Sequence, residues 1–310
     1  MVRTVLLARF SWCWLVIVFC TIPAESLIAG ERADRLWDFA GYLYLEKDFY
    51  RALGEYQRFL FLFPTDSRAG EAELQIGRCY REGGELAKAG DHFLGLYNRK
   101  TADPVGQQAL LEAITILEEE KQYVEGIYWA QRFIEHYPQD PKIDDLYFRL
   151  AWLQIDTGGY EQALVTLGLI RQESDRYSRA KSLIGALQHR PDTAKKSPTL
   201  AGVLAGILPG LGHLYAGRPG EAAASFLLNA AFIAGAVVAF ENDSPALGGI
   251  LIFFELGWYT GGIRSAVQAA RTANEQQEQR YRQDLKGRYG ISLGLLPGRD
   301  RLAMAVRLTF

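Results

Sequence analysis

The sequence predicts an all-α protein. A solenoid of helical hairpins is followed by a transmembrane helical hairpin and then by either a short β-hairpin or an unstructured tail. Three observations predict this fold class. Small or apolar residues recur every 37 residues, at Ala40, Gly77, Ile114 and Ala151. Residues 199–263 contain only five charged side chains. The last residues of the chain alternate between apolar and small or polar side chains.

Length and charge limit the classes of protein that fit this chain. Its 310 residues leave room for two domains, and its formal net charge of −2 gives no general indication of nucleic-acid binding. Residues 31–190 contain 20 Lys and Arg against 26 Asp and Glu, whereas residues 264–310 contain 9 against 4. The positive-inside rule places a basic segment next to membrane helices in the cytoplasm. Ordinary solvated surface explains the same counts.

Residues 1–30 have the features of a secretory signal peptide. Arg3 and Arg9 precede an apolar run, and the small residues Ala24 and Ala29 follow it. We therefore expect export of the residues that follow. Cleavage near one of the two alanines and an uncleaved N-terminal anchor are the alternatives.

Helical periodicity defines the repeated unit. The first unit pairs predicted helices at 33–46 and 49–62, and Pro64 ends the second helix. The same pattern recurs three more times. Residues 175–189 then form a final helix with one polar and one apolar side, which we interpret as a cap. Residues 31–190 are therefore predicted to be an array of four 37-residue units plus a capping helix.

Fixed positions in these units resemble the tetratricopeptide repeat (TPR) family. The first unit matches the family pattern at Ala40, Leu43, Ala52, Tyr56 and Pro64, and the second at Gly77, Tyr80, Ala89 and Phe93. The third unit departs from the pattern at Ile114 and the fourth at Gln154. The period is 37 residues rather than the usual 34, so each connection is slightly longer. Small residues at two fixed positions let the paired helices approach closely, and stacking buries their apolar faces.

The TPR resemblance implies a binding groove lined by the first helix of each unit, with a protein or peptide partner. Carried over by position, the groove residues are Trp37, Tyr44, Arg78, Arg81, Thr115, Glu118, Phe148 and Trp152. Exposed aromatic and arginine side chains are common anchors for such partners. Packing of the aromatic side chains between helices is the alternative.

Residues 191–198 are predicted to be a linker, and the apolar block 199–263 a membrane-embedded module. Three apolar segments can be drawn in the block, at 199–216, 221–240 and 246–263. The second is long enough to cross a bilayer as a helix. Pro209 interrupts the first, which predicts a broken or re-entrant helix. A buried hairpin of a soluble protein is the alternative reading of the block.

The interruption itself contains a recognisable motif: Pro209, Gly210, Gly212, Tyr215 and Gly217. It resembles the Pro-Gly-Leu-Gly…Tyr…Gly signature of small bacterial membrane modules of the TM2-like family, which implies membrane residence. Glu255 lies in the third apolar segment, where an ionisable side chain is costly. It could pair with His213 or Arg218, or simply face the helix bundle.

The remaining residues, 264–310, are predicted to form a polar helix at 264–288 and then two alternating runs. The runs flank a turn at Pro297-Gly298-Arg299-Asp300, and the second ends at Phe310. This pattern predicts a β-hairpin. A structural or disordered tail without it is the alternative.

No catalytic constellation is found in the sequence. His92, His136, His189 and His213 stand in no metal-binding or catalytic motif, and no phosphate-binding loop or nucleophile elbow is present. We therefore expect no enzyme activity, cofactor, metal or small-molecule substrate. Cys79 lies beside Tyr80 on a predicted inner helix face, so buried packing is expected rather than reactivity.

Together these patterns predict a non-enzymatic TPR scaffold of the bacterial cell envelope, anchored in a membrane, with the inner membrane favoured over the outer. The array is expected to face the periplasm, with a partner protein or peptide in its groove and the lipid bilayer around the apolar module. The alternative is a transport or translocation complex in which residues 199–263 are functional. Either two or three membrane segments are compatible with the sequence, and three agree better with the positive-inside rule.

Overall fold

The computed structural model describes residues 24–190, 195–290, 292–295 and 304–307. The predicted signal sequence up to residue 23, together with linker residues 191–194, lies outside the described residues. Helices account for most of the described chain, which confirms the predicted helical class. The chain divides into two compact units, residues 1–176 and 177–310.

From residue 24 onward, the first unit forms four consecutive helical hairpins. Their helices are α1 (Ala24–Leu45), α2 (Phe49–Leu62), α3 (Ala69–Glu82), α4 (Leu86–Arg99), α5 (Pro104–Glu119), α6 (Tyr123–His136), α7 (Ile143–Asp156) and α8 (Tyr160–Gly168). Each helix packs against the next along the chain, and α3 also contacts α5. The first unit is therefore a helical repeat.

The turn inside each hairpin has the same backbone geometry in all four copies. A left-handed residue occupies positions 37 residues apart, at Lys47, Gly84, Lys121 and Gly158. The N–H of the next residue donates to a carbonyl of the preceding helix five residues earlier, as Glu85 does to Tyr80. This is a hydrogen bond of the Schellman type, which satisfies a free carbonyl at a helix end. The period in the sequence is thus also a period in backbone conformation.

The connections between hairpins repeat as well. Asp66, Asp103 and Asp140 lie 37 residues apart, and each carboxylate accepts the N–H of the residue two positions later. A carboxylate placed before a helix satisfies a free N–H group of its first turn. Hydrogen bonds from the Arg68 side chain lower the pKa of Asp66 to about 2, against the opposing effect of burial. Asp66 is therefore ionised throughout the neutral pH range.

The core of each hairpin is built from the positions that the period identified. Ala40, Ile114 and Ala151 are fully buried, as are Ala52, Ala89 and Ala163 at the second small position. Phe93 fills the space next to Gly77, where an added Cβ would lie 2.5 Å from two ring carbons. Small residues are therefore needed here because large aromatic side chains from the facing helix occupy the space.

Cys79 provides a direct test of this packing. Its side chain is 2% exposed, and burial raises the pKa of its thiol to about 12. Since the thiolate is the reactive form, we expect N-ethylmaleimide at pH 8 to leave Cys79 unmodified in the folded protein and to modify it fully in urea. The measurement is mass spectrometry of a variant in which Cys13 and Cys20 are replaced by serine. Rapid labelling of the folded variant would contradict the buried position.

The described residues of the second unit form five helices and two short strands. These are α9 (Tyr177–Gln188), α10 (Pro198–Ile207), α11 (Leu211–Ala216), α12 (Pro219–Glu241), α13 (Pro245–Tyr289), β1 (Ser292–Leu295) and β2 (Met304–Arg307). Helix α13 packs against α9, α10, α11 and α12. It is the central element of this unit. A capping role for α9 on the helical repeat stays a prediction.

The strands β1 and β2 pair antiparallel, with Leu293 opposite Val306 and Leu295 opposite Met304. The predicted turn at residues 297–300 and the terminal Phe310 lie outside the described residues. The hairpin as a whole therefore stays a prediction.

Two helices in the described residues are long and apolar enough to cross a bilayer, α12 and α13. The 23 residues of α12 span about 34 Å, whereas the 10 residues of α10 span about 15 Å, half of a hydrocarbon core. Helix α13 continues without a break through residues 263 and 264, where the sequence predicted the apolar segment to give way to a separate polar helix. The junction contains Gly261 and Gly262 but no proline, and both glycines remain helical, so one helix carries both segments.

Candidate functional site

The predicted groove residues with polar side chains lie on α3 and α5, the first helices of the second and third hairpins. In the structure they form ion pairs and hydrogen bonds between neighbouring hairpins, together with residues of α7. We call this set the polar ladder, and its members are Glu71, Arg78, Arg81, Glu112, Thr115, Glu118, Glu119 and Arg149. Four of these eight residues were predicted from the sequence as groove residues: Arg78, Arg81, Thr115 and Glu118.

The ladder begins with two arginines of α3 that face the carboxylates of α5. Arg78 lies 2.8 Å from a carboxylate oxygen of Glu71 and 3.2 Å from one of Glu112. Arg81 pairs with Glu112 and Glu119. Burial acts to lower the pKa of both guanidinium groups, but the surrounding carboxylates outweigh it and raise the pKa. The two arginines therefore remain charged while they are more than two-thirds buried.

A second contact of the same kind joins α5 to α7. The Arg149 guanidinium donates to both carboxylate oxygens of Glu118, at 2.9 Å each. It also donates to the Thr115 hydroxyl at 2.9 Å. A bidentate arginine–carboxylate pair fixes orientation as well as distance. These contacts give the first helices a defined polar face made of fixed donors and acceptors.

Sequence reasoning missed Glu112 and Arg149, although the period contains a signal for them. Gln75, Glu112 and Arg149 occupy one position in three successive units, one helical turn before Arg78, Thr115 and Trp152. Arg78 in one unit and Glu112 in the next have opposite charges and occupy nearby positions of the repeat. Such a pattern indicates an ion pair between successive hairpins. The groove positions that the TPR resemblance implies do not include these partners.

The predicted aromatic groove residues are placed differently from the polar ones. The Trp37 ring packs edge-on against Tyr56 and Phe59, and Tyr44 packs in the same way against Phe49. Trp152 is half-buried with its ring centroid 6.3 Å from that of Phe148. Phe148 itself is fully buried, which corrects the expectation that its side chain is exposed in a groove. Core packing, the alternative reading, therefore describes Phe148, and the other three rings are part core and part surface.

The bidentate pair can be tested by a double-mutant cycle. We expect Arg149→Met and Glu118→Gln each to destabilise the protein, and the double variant to be less destabilised than the sum. The coupling should be about 1 kcal/mol, because both side chains are partly solvated. Urea unfolding followed by circular dichroism measures it. Arg132 and Glu135 form a more exposed pair on α6 at 3.8 Å, and we expect no measurable coupling there. Additive effects at Arg149 and Glu118 would contradict the ladder as a stabilising unit.

The glycine-rich motif formed by Pro209, Gly210, Gly212, Tyr215 and Gly217 lies at the bends between α10, α11 and α12. Gly210 and Gly217 have φ of 89° and 83°, a conformation that other residues adopt at a cost. A Cβ on Gly212 would lie 2.8 Å from the Cβ of Ala266 and 2.9 Å from that of Ala205.

The other two motif residues lie at the ends of the bends. Pro209 lies in the bend after α10, at the predicted break. The hydroxyl oxygen of Tyr215 accepts the N–H of Ser197, and its carbonyl accepts the Lys196 ammonium, both at 2.9 Å. The motif residues thus act in packing and turning.

Glu255 lies in the apolar part of α13. Both of its carboxylate oxygens are buried without a hydrogen-bond partner among the described residues. The predicted pairing with His213 or Arg218 is absent from this part of the chain. Instead, Arg218 pairs with Glu221 at 2.8 Å and His213 approaches Glu221 at 4.0 Å. Glu255 is ten residues before Ser265, the residue of α13 that contacts His213, and therefore about 15 Å away along the helix.

Comparison with known proteins adds no family to these observations. No protein-family model matches the chain. No curated protein matches it either. Among the described residues, no cluster of three His, Cys, Asp or Glu side chains is arranged to hold a metal ion.

Proposed function

We propose that this chain is a membrane-anchored scaffold of the bacterial cell envelope, whose TPR-like repeat binds a partner protein or peptide. The observation that carries the proposal is the polar ladder. It gives the first helices of successive hairpins a face of oriented charges, in a chain that also has two helices able to cross a bilayer. Oriented donors and acceptors on stacked helices suit recognition of an extended or helical peptide.

The exposure of α12 and α13 supports the membrane anchor. In their most apolar stretches only 17% and 11% of residues are buried inside the protein. Large apolar side chains face outward, including Leu227, Phe253 and Leu256. A core helix of a soluble protein buries such side chains, whereas a membrane helix exposes them to lipid. This is the physical reason for preferring a membrane module to a soluble hairpin.

Contacts between the residues just before and just after the apolar module support two membrane crossings rather than three. The Arg190 guanidinium lies 2.8 Å from the Glu278 carboxylate. The Lys196 N–H and carbonyl each form a 2.8 Å hydrogen bond with the Asn274 side chain. The segment before the module therefore lies beside the segment after it, on one side of the bilayer. An even number of crossings follows, with α10 and α11 as a short re-entrant pair.

Two signals bear on which side this is. The basic residues Lys196 and Arg271 on this shared side favour the cytoplasm by the positive-inside rule, whereas the signal-like N terminus favours export. We give precedence to the N terminus, because the first apolar segment of a chain usually dominates its orientation. The proposal therefore places the repeat and the polar end of α13 in the periplasm, on the inner membrane.

Alkaline phosphatase fusions test this topology, since the enzyme is active only outside the cytoplasm. We expect activity for fusions after Arg190 and after Gly290, and none for a fusion at Asn242 between α12 and α13. Activity of a cytoplasmic reporter alone after Arg190 would refute the exported repeat. Opposite results for Arg190 and Gly290 would refute the two crossings.

Site-specific photo-cross-linking in cells tests the binding face. A photoreactive phenylalanine at Glu119 or at Trp152 should capture the same partner, because both positions lie on first helices. The matched control is Val124 on α6, which is 76% exposed and should capture none of it. Charge reversal by Glu112→Arg should abolish capture, since it places a third arginine beside Arg78 and Arg81. Equal capture from Val124 would contradict the proposed face.

A role in a transport or translocation complex is the second candidate, and Glu255 favours it. A carboxyl without a partner in the middle of a membrane helix usually serves a function or meets a group of another subunit. We expect Glu255→Gln to disable such a complex while leaving membrane insertion intact. Full function of the Glu255→Gln variant in a strain that lacks the wild-type protein would exclude this candidate.

A further inference from the structure

The second unit contains a cavity of about 930 Å³ that opens between α12 and α13. This volume is typical of sites for organic ligands, which range from about 300 to 1,000 Å³. Its walls are apolar over most of their length, with Leu228, Phe253, Phe254 and Trp258 among them. The structure thus offers a largely apolar space inside the proposed membrane module.

One end of this cavity is polar. His213, Glu221, Ser225 and Ser265 lie there, at the start of α12 and near the bends. The His213 side chain is almost fully buried; its Nε2 is 3.0 Å from the Ser265 hydroxyl, and its Nδ1 has no partner among the described residues. Glu221 is half exposed and pairs with Arg218 at 2.8 Å. A buried polar atom without a hydrogen-bond partner needs a physical explanation, and a polar group of a ligand is one that fits this end of the cavity.

The cavity lining changes from polar to apolar along the axes of α12 and α13. A lipid in a bilayer changes in the same way from its head group to its acyl chains. Glu221 lies at the start of the apolar stretch of α12, and Ser265 lies just after the apolar stretch of α13. Both are at the end of the module where Lys196 contacts Asn274. Phe253 is 12 residues before Ser265, about 18 Å deeper along α13. A bound molecule would therefore keep its polar group at the bilayer surface on the side of the repeat, and its apolar chain toward the bilayer centre.

The charges at the polar end select the kind of head group. Glu221 lines the cavity, and the Arg218 guanidinium lies beside it, 2.8 Å from the Glu221 carboxylate. Arginine binds phosphate well because of its fork of donors, and a carboxylate accepts the hydrogen bonds of an ammonium group. A zwitterion with a phosphate and a primary ammonium group complements this pair. A purely anionic head group would leave Glu221 facing a like charge.

The geometry points to a binding site for a phospholipid with a phosphoethanolamine head group, with the head at Arg218 and Glu221 and one acyl chain between α12 and α13. This inference rests on the proposed membrane location. The proposed function requires α12 and α13 only as an anchor, and the inference adds that they bind a specific lipid.

The test is native mass spectrometry of the full chain, delipidated in detergent and titrated with phosphatidylethanolamine, phosphatidylglycerol or phosphatidylcholine. Gly257 lines the cavity, and no atom lies within 4 Å of a Cβ placed there. Gly257→Leu should therefore fill the cavity without disturbing the fold, and weaken phosphatidylethanolamine binding at least about tenfold. The matched control is Gly249→Leu, which is equally unobstructed but outside the cavity, and it should bind like the wild type.

Glu221→Gln should remove the preference for phosphatidylethanolamine over phosphatidylglycerol. Equal binding of the three lipids by the wild type, or unchanged binding by Gly257→Leu, would overturn the site. A lipid-free dimer whose formation is blocked by Gly257→Leu would also overturn it, since a second copy would then fill the cavity. Loss of the protein from carbonate-washed membranes would instead contradict the proposed anchor itself. The two failures can thus be told apart.

Discussion

Replacing Gly212 by alanine is expected to disrupt the packing of α11 on α10 and α13. The added Cβ would overlap the carbonyl oxygen of Ala201 and would crowd Ala266 and Ala205 at 2.8 and 2.9 Å. None of these atoms belongs to a flexible side chain, so the backbone of two helices must shift. We expect a cost of about 3 kcal/mol, at the upper end for overpacked sites.

Thiol labelling measures this cost inside the second unit. Ala269 is 2% exposed where α13 meets the bends, so a cysteine introduced there is protected until the helices separate. At about 3 kcal/mol, Gly212→Ala should accelerate labelling of Ala269→Cys by about a hundredfold. Gly249→Ala is the control, because its Cβ meets nothing within 4 Å. Unchanged labelling in Gly212→Ala would show that the helices do not approach this closely.

Replacing Phe93 by alanine is expected to open the second hairpin of the repeat. The ring is fully buried between α3 and its neighbours, and a Phe→Ala change in a core leaves a cavity that costs about 4 kcal/mol. Each hairpin contacts only its neighbours, so the loss is concentrated near Gly77 and Cys79. The measurement is the labelling rate of Cys79 in the folded protein, which should rise steeply. Phe61→Ala is the control; that ring is 84% exposed, and we expect a change below about 0.5 kcal/mol.

Gly77 supplies a second check on the same contact. Gly77→Ala alone should destabilise the hairpin, because the new Cβ would lie 2.5 Å from ring carbons of Phe93. Combined with Phe93→Leu, the same change should cost less than the sum of the single variants, since the smaller side chain leaves room for the methyl group. Additive effects would mean that the two positions are not in contact.

The repeat could be predicted from the sequence in unusual detail. The small positions at Ala40 and Ala52 mark where helices meet, and periodicity alone places them on inner faces. The left-handed residues at Lys47 and Lys121 could not be predicted, because lysine gives no sign of that conformation. They share a position with Gly84 and Gly158, and the hydrogen bonds of the closed turn impose the same backbone on all four.

The polar ladder shows a different limit. The sequence identified Arg78 and Glu118 as surface positions of the first helices, but their partners depend on how far one hairpin is displaced from the next. The side chains that meet are 31 to 38 residues apart. A spacing close to the period suggests such pairs, and only the packed helices decide which of the neighbouring carboxylates each arginine reaches.

By itself, the sequence determined the helical class, the 37-residue period with its buried small positions, and an apolar block with one segment long enough to cross a membrane. These properties follow from composition and spacing along the chain, which a helix converts directly into faces. Only the tertiary structure decided that Phe148 is core, that Glu255 has no pairing with His213, and that α13 runs unbroken from apolar to polar residues. It also brought Lys196 beside Asn274. Such features depend on distances between residues remote in sequence, and no local pattern encodes those distances.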